Sequence, residues 1–121
     1  MDLIANNLAN SETTRTPEGG PYRKQSAVFT VKQAQDTKIG ADPSAEGVEV
    51  AGIVADTGDP RLVHSPGHPD ADANGYVAMP DINPMEEMVD MISATRAYEA
   101  NAAAIGAAKT MFAAALDLGR G

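Results

Sequence analysis

The chain has 121 residues, a formal net charge of −8, and neither cysteine nor tryptophan. One modest domain fits that length. The acidic balance argues against nucleic acid and anionic membrane surfaces as partners, and the absence of thiols excludes disulfides and thiolate chemistry. Aromatic residues make up only 4% of the chain, a thin supply for a globular core, so an extended shape is expected.

Met1 to Asn10 reads as the tail of a helix. Leu3, Ile4 and Leu8 recur at helical spacing, Ala5 and Ala9 are good helix formers, and Asn10-Ser11 is a natural stop. A piece this short is marginal alone. The same residues lack a basic stretch and a long apolar run, so no cleaved signal peptide is expected. Work outside the cytoplasm would require a dedicated export route. No apolar run is expected to reach membrane-spanning length.

Ser11 to Pro21 is polar and punctuated by Pro17, Gly19, Gly20 and Pro21. Tyr22 to Val31 then reads as a strand, with Ala27, Phe29 and Val31 alternating with Val28 and Thr30. Gln33 to Glu46 has no periodicity and reads as a loop. Val48 to Val54 alternates as a second strand, Asp56 to Pro60 turns, and Leu62-Val63-His64 is a third short strand. A proline-, glycine- and aspartate-rich loop follows from Ser65 to Asn74, then a last strand to Met79.

The end of the chain carries the strongest pattern. Asn83 is an N-cap residue, Pro84 suits the first helical position, and Glu86, Glu87 and Asp90 complement the helix dipole. A seam then runs at alternating spacings of three and four: Met88, Met91, Thr95, Tyr98, Ala102, Ile105, Lys109, Phe112 and Leu116, with Ile92 beside it. This is a coiled-coil period flanked by alanines that permit close approach of a partner helix. No second helix of matching length is visible elsewhere in the chain. Covering the large seam side chains is worth roughly 8–15 kcal/mol, so the helix is expected to bind partner chains. The fold class is α+β: a long terminal helix of coiled-coil type, its N-terminal partner mostly missing, plus a small β-rich domain. The segments are a helix remnant at 1–10, the β-rich domain at 11–82 and the coiled-coil helix at 83–121.

Little in the chain points to chemistry. His64 and His68 are separated by Pro66 and Gly67 and cannot share a helix face as metal-binding pairs do. Asp70, Asp72 and Asn74 before Gly75, with Asp81 further on, fit the opening of a calcium loop. Against that reading, Asp81 replaces the usual bidentate glutamate, Pro66 and Pro69 deny the entering helix, and a β-turn explains the same letters. No nucleophile elbow, phosphate loop or acid/base pair is recognisable. The chain is therefore expected to be no enzyme and to need no cofactor or metal. The calcium-binding module, and a soluble module that recognises a partner helix, stand as alternatives to a structural role.

Three stretches together resemble the flagellar basal-body rod proteins of the rod and hook axial family. The first is Ile4-Ala5-Asn6-Asn7-Leu8-Ala9-Asn10, similar to the family's asparagine-rich signature. The second runs from Pro66 to Asp72 and on through Gly75-Tyr76-Val77 to Met79-Pro80. The third is Glu87-Met88-Val89 followed by Arg96-Ala97-Tyr98-Glu99-Ala100-Asn101. The resemblance implies a proximal-rod subunit whose terminal helices pair and stack helically into a shaft, with Ile4, Asn6, Asn7, Leu8 and Asn10 joining the seam in packing. It implies copies of itself, other rod proteins and the proteins of the MS-ring junction as partners. It also implies export by the flagellar type III apparatus, residence in the periplasm-spanning rod, and no insertion into the membrane. In the family a long helix precedes the asparagine signature; here most of it is expected to lie upstream of Met1.

Overall fold

The computed structural model describes residues 1–32 and 47–121, so the loop expected at 33–46 lies outside the described residues. The elements run α1 (Asp2–Ala9), β1 (Gln25–Lys32), β2 (Gly47–Ala55), β3 (Arg61–His64), β4 (Tyr76–Met79) and α2 (Pro84–Gly119). This is the α+β arrangement read from periodicity, with a long C-terminal helix and small antiparallel sheets.

The strands form two separate ribbons, β1 with β2 and β3 with β4. In the first, Gln25 faces Ala55 and Lys32 faces Gly47, with a register irregularity at Val28/Phe29. The second pairs Arg61 with Met79 and His64 with Tyr76 without a shift. Its connection is set by residues whose chemistry suits a turn. Asp72 Oδ1 accepts from the Asn74 and Tyr76 amides, both at 2.9 Å. Gly75 takes φ +82°, where a Cβ would also meet Pro66 Cγ at 3.1 Å, so glycine is required there on both counts.

Helix α2 starts as its sequence dictates: Asn83 Oδ1 accepts from the Met85 amide at 3.0 Å and Pro84 occupies the first turn. Its 36 residues make a rod about 54 Å long. Only its first turns are covered. Helix α1 packs on them and on β1, leaving Glu87 buried and Met91, Ala94 and Thr95 half-buried, whereas every residue from Arg96 onward is exposed. Among the described residues the buried apolar side chains are Val77 and Ile82, beside the buried Pro80. They sit where the second ribbon hands over to α2.

One expectation needs correction. A window of α2 reaches a mean hydropathy of 1.2 with at most two charged residues, so by length and composition the helix could cross a membrane. Reading for runs of large apolar residues misses this, because alanine raises the average while adding little bulk.

Candidate functional site

Two features of the molecule invite a functional reading: a buried polar junction at the base of α2, and the open stripe along the rest of that helix.

The junction is built around Asn7, in the middle of the asparagine-rich stretch. Only 2% exposed, Asn7 uses both ends of its amide. Its Nδ2 donates to the Gln25 carbonyl at 2.9 Å, and its Oδ1 accepts from the Gln25 amide at 2.9 Å. The side chain thereby imitates a neighbouring strand at the first residue of β1. Oδ1 also accepts from the Tyr22 hydroxyl at 3.2 Å, and Nδ2 makes a longer contact of 3.4 Å to Glu87 Oε2. One amide therefore ties α1, the entry to β1 and the first turn of α2 together. Its donor and acceptor capacity is fully used, as a buried amide requires.

Glu87 is the other half of the junction and is 1% exposed. Lys24 Nζ lies 2.6 Å from its Oε1. Lys24 is thereby the counter-charge to an oxygen that is otherwise without a partner. Contact with this carboxylate raises the Lys24 ammonium above its ordinary value. Burial, and after it the Glu87 charge, raises the Tyr22 hydroxyl as well. A buried charge needs a partner, and here the partner comes from a segment far away in sequence. Glu87 was expected to serve the helix dipole; it does sit in the first turn, but its main role is this cross-chain pairing. No local signal in the sequence marks Lys24, Tyr22 or Gln25 as its neighbours.

The other asparagines of the signature divide. Asn10 closes α1, its Nδ2 donating to the Asn6 carbonyl at 2.9 Å while its Oδ1 accepts from Thr13 Oγ1. The Asn6 side chain is exposed, and Ile4 and Leu8 are half-buried. Along α2, Met91 and Thr95 are half-buried, Thr95 Oγ1 donating back to the Met91 carbonyl at 2.8 Å. Met88, Ile92, Tyr98, Ala102, Ile105, Phe112 and Leu116 are all exposed. No described residue of the chain covers the seam beyond Thr95, so α2 presents a long apolar surface that monomeric proteins rarely leave open.

The aspartates of the candidate calcium loop are not gathered around a common point. Asp70 accepts from Thr14 Oγ1 at 2.7 Å and pairs with Arg15. Thr14 first, and Arg15 after it, hold the Asp70 carboxyl below its ordinary value. Asp72 is occupied by the turn amides, and Asp81 lies exposed beyond the buried Pro80. Among the described residues no three carboxylates and histidines form a metal-binding group. Nothing favours the calcium reading over the turn.

Comparison with known proteins decides the family. Residues 73–118 match the family described as flagellar basal body rod FlgEFG protein C-terminal. The flagellar basal-body rod protein FlgC of Borreliella burgdorferi is 43% identical, the match covering 100% of this chain and 87% of that protein. The FlgC proteins of Bacillus subtilis and Salmonella typhimurium are 40% and 39% identical, each match covering 99% of this chain and 87% and 85% of theirs. This chain belongs to the FlgC family of flagellar basal-body rod proteins. The similarity takes in the asparagine-rich stretch, the Pro66–Pro80 segment and α2 together. In this FlgC-family chain the polar junction anchors the base of α2, and the open stripe runs along the rest of that helix.

Proposed function

We infer that this chain is a structural subunit of the flagellar basal-body rod that assembles through its terminal helices and carries torque along the shaft. The observation that carries this reading is the open stripe of α2, running from Tyr98 to Leu116, in a chain whose FlgC relative matches it over its full length. Three segments share the work: 1–10 and 83–121 pack into the helical layer of the shaft, and 11–82 is the β-rich part beside it. The alanines of α2 let a neighbouring helix come close, so the apolar average of this helix serves helix packing and not a lipid bilayer. The partners of this reading are copies of the chain, other rod proteins, the proteins of the MS-ring junction and, on the way out of the cell, the flagellar type III export apparatus. The role is mechanical and calls for no catalysis.

The test is genetic. Cells whose only copy carries Ile105→Asp should make the protein but build no rod, and so fail to swim, because a carboxylate would be buried without a partner. Asp72→Ala should still swim, since Asp72 holds a turn and not an ion. Electron microscopy of basal bodies reads both. Normal rods with Ile105→Asp and none with Asp72→Ala would show that α2 is not the assembly element.

A further inference from the structure

The β1–β2 ribbon has two unlike faces, both open among the described residues, and one of them is apolar throughout its centre. Residues in register share a face, so the pairs Ala27–Ile53, Phe29–Val50 and Val31–Val48 form one apolar surface. Ile53 and Val50 are an odd number of residues apart and would point to opposite sides of a regular strand. The irregularity at Val28/Phe29 absorbs the extra residue, Ala51, and keeps them on one side. The ribbon's charged residues, Lys32 and Glu49, fall on the other face with Ser26, Thr30, Val28 and Val54, so that face is mixed. In a chain of net charge −8, the apolar face carries no charge at all.

None of the described residues covers it. Phe29 is 65% exposed, Val48 70% and Ile53 59%. A two-stranded ribbon is barely stable in water unless something packs against it. The exposed surface amounts to roughly 400–500 Å², at the upper end of what monomers leave open. It is also about half the area that one partner contributes to a durable two-chain interface. A contact of that size is too small to hold a dimer in dilute solution. It suits a repeated contact between subunits already held side by side by their helices, where effective concentration does the rest.

We propose that the Phe29–Val50 face docks on a neighbouring copy of this chain within the assembled rod. The proposal rests on the rod-subunit reading. The absence of charge fits it: two chains of like net charge can meet at this face without repulsion. The bulge then has a purpose, since it is what brings Ile53 onto the side of Val48 and Val50.

The experiment uses cells whose sole copy carries a benzophenone side chain in place of Val50, with a second strain bearing it in place of Glu49 on the opposite face. Basal bodies are isolated, irradiated and analysed by mass spectrometry. The expected result is a crosslinked species of twice the chain's mass, holding only this chain's peptides, from position 50 and at least ten-fold less from position 49. Capture of a different protein, or capture only within one chain, overturns the proposal. Because the bulky group can itself block assembly, Val50→Cys provides a second reading in a chain with no other thiol. That thiol should react with a water-soluble maleimide at least ten-fold more slowly in basal bodies than in the purified chain. Equal rates overturn the proposal while leaving the rod reading intact; absence of the wild-type chain from basal bodies removes the rod reading itself.

Discussion

Asn7→Ala tests whether the polar junction or the small apolar core holds this molecule together. The substitution deletes an amide that is 2% exposed and engages both backbone groups of Gln25, the Tyr22 hydroxyl and Glu87. Each buried group left unpaired costs about 1–3 kcal/mol. Gln25 and Tyr22 are half-buried, so water can replace part of what is lost. A total of about 2–4 kcal/mol follows, against about 0.5 kcal/mol for the exposed neighbour Asn6→Ala. Asn7→Asp should be worse than alanine. It abolishes both donors and sets a second carboxylate at the 3.4 Å distance that now separates Asn7 from Glu87 Oε2. Urea unfolding followed by circular dichroism reads the midpoints of all three variants. If Asn7→Ala and Asn6→Ala unfold together, the amide is not a structural element and the junction argument is wrong.

Glu87→Gln should cost less than Glu87→Ala, because the amide keeps contact with Asn7 and the partly exposed Lys24 can turn to water; a double-mutant cycle with Lys24→Met isolates the pair. Lys24 and Tyr22 are both raised from ordinary values of 10.5 and 10.0. Their contribution is therefore complete below about pH 10 and is lost as pH rises through the higher folded values. Stability measured against pH should be flat from neutrality to that point and then fall, and Lys24→Met should blunt the fall. Ile105→Ala and Phe112→Ala should leave the isolated chain within about 0.5 kcal/mol of the parent, since both side chains are exposed there. In the assembled state each should cost about 2–5 kcal/mol; equal effects in both states would contradict the seam.

What the sequence discloses depends on how local the cause is. The start of α2 is written in adjacent residues, Asn83 and Pro84, and appears where it is expected. The four strands fall within three residues of their expected starts, because alternation and turn residues are local signals. The turn chemistry of Asp72 and Gly75 is legible for the same reason. The junction is not. A glutamate three residues into a helix is ordinary, and nothing near it reveals that Lys24 and Asn7 will meet it from 63 and 80 positions away. The asparagine signature is visible as a pattern, but its unequal division of labour is not. Asn7 is buried and central while Asn6 faces water, a difference fixed by which side of α1 meets α2. The seam is legible as a period, yet periodicity is silent about when it is covered.

That timing leads to a last prediction. Among the described residues, the apolar side chains buried within the chain are few, and the large ones of α2 lie open. An uncovered helix gains only its own hydrogen bonds, and ordering each residue costs about 1–2 kcal/mol of conformational entropy. The first turns of α2 are anchored by the Asn83 cap, by α1 and by the Glu87 junction. From Arg96 to Gly119 nothing comparable holds the helix, apart from the alanines' good propensity. In dilute solution the helical signal should therefore fall below that of the 8 residues of α1 and the 36 of α2 combined. It should rise with protein concentration as seams cover one another. Circular dichroism across a hundred-fold concentration range, beside sedimentation equilibrium on the same samples, separates the cases. A sedimenting monomer with the full helical signal would mean that α2 is stable alone, and that assembly covers a finished helix instead of completing one.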